Sequence, residues 1–564
     1  MPTVCCSTGY TASFVLQEAD GPIMRMPFSL LALFRCAGYS LSRFRVPRFL
    51  NDSCRVAVTG AVLALLTACT ALPDVGSRPI EFAPTETEAS CLTQRLIEVY
   101  GEDRVLASGP AESGFLLLKE GPDALEARLT LARKAEYSLD VQAFELLDQT
   151  SSRVLLAHLL EAADRGVQVR LLVDDWGNDY PSAWLASLAT HDNIEVRIFN
   201  PFPLRPAWRL NYLTHFARVH RRMHNKAFVA DNQVGIIGGR NTGDAYYEAS
   251  PERIFLDLDV LTLGSVTRDI SGAFDLYWNH QLASEASRVS LGRYGTSLNT
   301  IREEFASGLP EQRTSWQWDD GDFIWAPATL YVDDPGKILR PAGDITGHLM
   351  PRLLSEITPT QHEALFVTPY FVPGEEGTDI LLDLIDRGIE IDLLTNSLAA
   401  NNMPIVHSGY APYRRELLEA GIRLWEVQPT PWSLYEDAND EPWQSVLTEQ
   451  VTLHAKVWVF DRERVFIGSV NMDPRSFEHN TEIGLLIESP ELAAQILDWM
   501  EPMKNRLAWR VVLEENGDKL WVEEPDVDSP GSEATAIANY DPDSSWWQRF
   551  RIGLYTLLPI EFLL

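Results

Sequence analysis

Cysteine is missing from most of this chain. Its 564 residues hold six, and the last is Cys91. Beyond that point no disulfide and no thiolate metal site can form, so any chemistry there uses other groups. Basic residues are scarce too: 47 Lys and Arg face 80 Asp and Glu, a net charge of −33. A chain this acidic repels phosphate-rich polymers, so no nucleic-acid partner is expected. The apolar stretch Val56–Leu66 falls short of a comfortable membrane span. Length, by contrast, is plentiful, and it calls for two or more domains.

The N-terminus reads as an address. Arg43, Arg45, Arg48 and Arg55 precede VAVTGAVLALL (Val56–Leu66), and LTAC closes at Cys69. A basic segment, a short apolar core and small residues describe a secretory signal. The ending resembles a bacterial lipobox, which implies cleavage before Cys69, lipidation of its thiol and a membrane-bound protein facing the periplasm. An uncleaved inner-membrane anchor is the alternative. Such leaders are usually shorter, so Met24 or Met26 is a candidate start. Residues 69–105 then form a tether and entry segment.

Two stretches repeat. YSLDVQAF, from Tyr137, alternates as a strand; VLLAHLLEAADRG has helical spacing and ends on Gly166; VQVRLLVDD follows as a buried strand. ALFVTPYF, DILLDLIDRG and IEIDLLTNS repeat that order from Ala364, with Asp386–Arg387–Gly388 against Asp164–Arg165–Gly166. The expected organisation is two tandem α/β domains, 106–300 and 346–510. Each has a mixed sheet flanked by helices. A connecting segment spans 301–345, and a tail spans 511–564. The irregular stretch from Gln428 is a candidate rim or lid. The tail mixes Trp546, Trp547, Arg549 and Arg551 with leucines, which suits either a membrane interface or packing on the domain's own core.

The chemistry lies in HNKAFVADNQVGIIGGRN (His224–Asn241) and HAKVWVFDRERVFIGSVN (His454–Asn471). His-x-Lys, four residues, Asp, six residues, then Gly-Gly/Ser-x-Asn occurs once per repeat with identical spacing. Residues two apart on a strand share a face, so His224 and Lys226 point together, as do His454 and Lys456. Asp231 and Asp461 fall at turns and are expected to be structural. The next strands double back to bring Asn241 and Asn471 beside the histidines. Gly238–Gly239 and Gly468–Ser469 would let backbone approach a ligand closely.

These paired motifs resemble those of the phospholipase D superfamily, over about residues 105 to 505. Finer features are similar to the bacterial cardiolipin synthase C group: RRMHNK, IIGGRNTGDAYYE, TNSLAANNMPIVHSGYAPYRRELLEAGI from Thr395, DPRSFEHNTEIGLLIESP from Asp473 and the terminal LLPIE. Where that group commonly has Gln-Tyr-Tyr, this chain has Gln142–Ala143–Phe144. The resemblance implies two halves in pseudo-two-fold relation, with one active site between them. It also implies phosphatidyl transfer through a phosphohistidine, making cardiolipin from phosphatidylglycerol with phosphatidylglycerol or phosphatidylethanolamine as donor. Hydrolysis to phosphatidic acid is the alternative, with a nuclease or a non-catalytic lipoprotein further off. By analogy His224 is the nucleophile and His454 the general acid and base. Lys226, Lys456, Asn241 and Asn471 would hold the phosphoryl oxygens. The lysines supply the charge a metal supplies elsewhere, so no metal and no cofactor is required. Each histidine needs an orienting carboxylate. Glu482 is the candidate in one half; Asp257, ahead of Asp259, is the candidate in the other. Arg205, Arg209, Arg218, Arg221 and Arg222 form a basic island. Arg221 and Arg222 with His407, Tyr410 and Arg414 are candidate substrate contacts.

Overall fold

The computed structural model describes residues 78–564 apart from 108–110, 177–181, 206–207, 290–295, 307–322, 342, 430–449, 524–534 and 559–560. The leader, Cys69 and the start of the tether lie outside the described residues, as does most of the expected rim after Gln428. Among the described residues no helix is long and apolar enough to cross a membrane.

Two large mixed sheets carry the two halves. The first runs Ile324–Ala326, Ser113–Leu118, Asp259–Leu263, Val234–Gly238, Ala227–Ala230, Ser138–Ala143, Gln168–Asp174, Ile194–Phe199, Ala283–Glu285. The second runs Ala328–Val332, Ile483–Glu488, Arg464–Gly468, Val457–Phe460, Glu363–Val367, Glu390–Asn396, Arg423–Val427, Ala508–Leu513, Lys519–Glu523, Thr535–Ala538. In each, three central strands are parallel and the motif strands join them antiparallel. A helix makes the first parallel crossover, as a parallel pair requires. These helices are Thr150–Asp164 and Gly374–Asp386, and Gly166 and Gly388 follow at φ of 105° and 85°. The repeated arginine before each glycine ties that corner down. Arg165 donates to the carbonyl of Ala132, and Arg387 to those of Thr358 and Thr360.

The chain passes from one half to the other at Pro327. Ile324–Ala326 pairs in the first sheet, whereas Ala328–Val332 pairs with Ile483–Glu488 in the second. The stretch expected as a tail adds strands: Ala508–Leu513 spans the expected boundary at 510, and two more strands follow. Between the sheets lies a shared apolar layer in which Val229, Ile237 and Val260 of the first half meet Val459, Ile467 and Leu485 of the second. This layer fixes one half against the other, and at its edge the parallel pairing of Arg253–Leu256 with Gln450–Leu453 joins them by backbone.

Candidate active site

Both histidines sit where one half's chain bonds the other's. The His224 amide donates to the Thr481 carbonyl at 2.8 Å, and the His454 amide to Leu256 at 2.7 Å. The orienting carboxylates cross over in the same way. His224 Nδ1 lies 2.8 Å from Glu482 Oε2, and His454 Nδ1 lies 2.5 Å from Asp257 Oδ2. Each half thus supplies the carboxylate for the other half's histidine. With Nδ1 so engaged, Nε2 is left for chemistry on both rings. Asp259 belongs elsewhere: it pairs with Arg128 at 2.8 Å.

Burial and the two lysines hold His224 well below its ordinary pKa, and burial with Lys456 pushes His454 down to about 3. Both shifts favour the neutral ring, and the Asp257 carboxylate opposes the shift at His454. Burial also lowers Lys226 to about 7 and Lys456 to about 8, although Glu482, Asp257 and Glu145 oppose the fall. Lys226 Nζ donates to the His224 carbonyl at 2.7 Å; Lys456 Nζ likewise donates to the His454 carbonyl and lies 3.0 Å from Nδ1 and 3.3 Å from Nε2 of that ring. Aromatic walls keep the rings dry. Phe144 meets His224 edge-on at 4.8 Å and lies 5.0 Å from the Lys226 ammonium; Tyr246 meets His454 edge-on at 5.1 Å. The departure at Ala143–Phe144 thus falls within the site itself.

The carboxylates differ. Burial raises Asp257, but His454 and Lys456 outweigh it and hold it below the ordinary carboxylate range. Burial pushes Glu482 up to about 7. Its charge is spread over hydroxyl donors, Ser469 on one oxygen and Ser476 on the other at 2.8 Å. The small residues explain how each acid fits. A Cβ on Gly239 would sit 2.2 Å from Asp257 Oδ1, whereas Ser469, its counterpart, bonds Glu482 instead. Cβ atoms on Gly238 and Gly468 would meet the backbone of the neighbouring strand at 2.6 and 2.3 Å. The expectation of close approach to a ligand is corrected: these positions admit the protein's own strand and carboxylate.

Asp231 and Asp461 turn away from the rings. Both have left-handed backbone, φ 50° and 53°. Asp231 accepts the amides of Glu136, Tyr137 and Ser138, and Asp461 those of Gln361, His362 and Glu363. Each pins the entry of a central parallel strand.

Asn241 and Asn471 both lie buried with the carboxamide oxygen unpartnered. Asn241 is already engaged as a donor, bonding Glu145 Oε2 and the Tyr246 hydroxyl, each at 2.8 Å. As placed, its amide donors are spent on Glu145 and Tyr246. Glu145, Tyr246 and Ser476 are the residues that sequence reasoning missed. The sequence signal for two of them was present: Tyr246 lies in GDAYYE and Ser476 in DPRSFEHN, stretches already marked by the resemblance. For Glu145 no signal existed, because the other half has Tyr370 at the matching position just past the strand.

The candidate substrate contacts are corrected. Arg222 is buried against Asp174 at 2.7 Å, and Arg221 donates to the Ile338 and Arg340 carbonyls. Arg205 pairs with Asp175, and Arg218 donates to Asn200 at 2.6 Å. Two aspartates that end the strand beneath draw Arg205 and Arg222 inward, whereas Arg209 stays exposed. His407, Tyr410 and Arg414 are buried likewise. Arg414 reaches Glu426 at 2.8 Å and Asp541 at 2.7 Å, His407 lies beside it at 2.7 Å, and the Tyr410 hydroxyl donates to Glu426 at 2.8 Å. This network fastens the C-terminal segment rather than a lipid headgroup.

The chain is similar to known proteins. A family model described as "Cardiolipin synthase, PLD-like domain" matches residues 129–275 and 353–504. Cardiolipin synthase C of Escherichia coli (strain K12) is 37% identical over 480 residues, 81% of this chain and 97% of that protein. Cardiolipin synthase A of Pseudomonas syringae pv. syringae (strain B728a) is 25% identical over 68% of this chain and 67% of its own. The crystal structure of phosphatidylserine synthase from Haemophilus influenzae Rd KW20 superposes with a TM-score of 0.52 at 12% identity, over 84% of this chain and 98% of that one, a likeness of fold. Both His-x-Lys motifs fall inside the matched residues, and the chain belongs to the phospholipase D-like cardiolipin synthase family of phosphatidyltransferases.

Proposed function

We propose that the protein makes cardiolipin, moving a phosphatidyl group from phosphatidylglycerol or phosphatidylethanolamine to the glycerol hydroxyl of a second phosphatidylglycerol. The observation that carries this reading is the crossed pair, two histidines each held by the opposite half's carboxylate beside two buried lysines. A neutral imidazole avoids the repulsion an anionic nucleophile meets at a phosphodiester. The Nε2 lone pair of His224 attacks phosphorus, and the bond to the headgroup oxygen breaks. The leaving alkoxide takes a proton from the imidazolium form of His454, which the ring reaches by taking up a proton from solvent and which the Asp257 carboxylate at 2.5 Å and the bound phosphodiester anion favour. The acceptor hydroxyl then returns a proton to His454 and attacks phosphorus, and the phosphorus–nitrogen bond breaks. Two displacements at phosphorus, with one P–O bond broken and one formed overall, leave every oxidation state unchanged.

The assignment of roles follows the two acids. An anionic Asp257 favours an imidazolium at His454, while the hydroxyl-damped Glu482 leaves His224 the neutral nucleophile. Lys226 and Lys456 offset the charge on the phosphoryl oxygens.

The test follows lipids made from labelled phosphatidylglycerol, with and without phosphatidylethanolamine. Cardiolipin is expected from the unaltered chain and not from His224→Ala or His454→Ala. Phosphatidic acid as sole product would replace transfer by hydrolysis. The membrane address, a lipid on Cys69 at the periplasmic face, is part of the same proposal; Cys69→Ser is expected to abolish incorporation of labelled fatty acid, and persistent labelling refutes it.

A further inference from the structure

The C-terminal segment is tied to the catalytic loop, yet its outer face is bare. Leu564 is buried against Val372 and Val406, and its carbonyl accepts the Arg475 amide at 2.9 Å. The Phe562 carbonyl lies 2.7 Å from His479 Nε2. Between those two contacts, Ser476 bonds the Glu482 carboxylate that orients His224. Helix Trp546–Tyr555 precedes this anchor, capped by Ser545 and Gln548. Its side chains face outward: Trp546 is 59% exposed, Trp547 65%, and Leu557 just beyond it 78%. Phe550 stacks on Trp546 at 5.2 Å, so the aromatics form one continuous surface.

The first half touches the same loop and carries exposed apolar side chains close by in sequence. Arg475 donates to the His220 carbonyl at 2.9 Å, and the His220 and His479 rings meet at 4.9 Å. Just upstream, helix Trp208–Thr214 exposes Leu210 and Leu213, the latter at 73%. Apolar side chains from both halves therefore flank the loop that supports the site.

We propose that this surface seats on a phospholipid bilayer and brings the catalytic loop to the level of the headgroups. This rests on the reading of the substrate as a membrane lipid. Composition selects the bilayer over a second copy of the chain. Residues 544–560 carry two arginines and no acidic side chain, in a protein with 80 acidic residues. Tryptophan and arginine over a leucine-rich face fit the boundary between headgroups and acyl chains. Arginines there also oppose the repulsion between a chain of charge −33 and anionic lipid.

The test compares the full chain with Trp546→Ala/Trp547→Ala/Phe550→Ala on two substrates. One is vesicles of phosphatidylglycerol and phosphatidylethanolamine; the other is short-chain phosphatidylglycerol dispersed as monomers. The triple variant is expected to lose about tenfold or more on vesicles and nothing on dispersed lipid. Trp546→Phe/Trp547→Phe is expected to keep vesicle activity. Equal loss on both substrates, or loss on neither, overturns the proposal. Fluorescence quenching by vesicles of brominated lipid gives a readout independent of turnover, and it is expected to fall in Trp546→Phe/Trp547→Phe. Unchanged quenching overturns the proposal, as does a dimer in sedimentation that the triple variant dissociates. If the unaltered chain makes no cardiolipin from either substrate, the transferase reading fails while quenching still decides the docking.

Discussion

Glu482, at about 7, gains charge as pH rises and so holds His224 more firmly, whereas Lys226 and Lys456 are the groups through which rising pH weakens the site. Their pKa values, about 7 and 8, lie below the ordinary lysine value because burial penalises the ammonium. A lysine loses its charge as pH rises through its pKa, so phosphate binding weakens in that window. The kcat/KM profile, which reports the free enzyme, is expected to fall between about pH 7 and 8. The kcat profile is expected to hold to higher pH, since a bound phosphodiester favours the charged lysines. Glu145 supports the charge on both. Glu145→Gln removes that support, and the alkaline limb of kcat/KM is expected to move to lower pH; a limb that stays or rises contradicts the placement of Glu145. At this scale the motif's His, Lys and Asp were legible because their spacing recurs. The crossing of Glu482 to His224 was not, because nothing local tells a carboxylate which of two distant rings it meets. Strand parity could not separate Asp257 from Asp259 either. Gly239 separates them in the fold, since it alone leaves room for the Asp257 carboxylate.

At the scale of elements, the two aspartates at φ near 50° act as pins on the parallel strands. Asp461→Ala removes an ionised acceptor of three amides and leaves a Cβ-bearing residue in left-handed backbone without a local partner. A loss of about 2–3 kcal/mol in unfolding free energy is expected by urea titration. Asp461→Asn tolerates that backbone and is expected to lose less. The kcat of the folded protein is expected to stay within about twofold for both, since the carboxylate touches neither ring; a hundredfold fall in kcat would make Asp461 a participant in the chemistry. Elements were read well where periodicity and a glycine stop coincide, as in the two crossover helices. Charge clusters were read poorly. Arg205, Arg218 and Arg222 crowd in sequence, yet Asp174 and Asp175 at the end of VQVRLLVDD take two of them inward. A pair of acids closing a buried strand was the available hint. The Arg414 network was less accessible still, because Glu426 and Asp541 come from a neighbouring strand and from a segment more than a hundred residues later.

For the whole molecule, the duplication announces two domains but not how they meet. The shared apolar layer and the backbone pairing of Arg253–Leu256 with Gln450–Leu453 make the halves one body within one chain. This has a consequence for inactive variants. His224→Ala keeps His454 with its Asp257, and His454→Ala keeps His224 with its Glu482. If halves could exchange between molecules, a mixture of the two full-length variants would assemble one intact site for each dead one. The buried junction within each chain forbids that exchange once folding is complete. Mixing the purified variants is therefore expected to yield no cardiolipin above either variant alone. Recovery of even a few per cent of the unaltered activity would show that the halves swap between copies, and the interface inside one chain would then not be the one that makes the site.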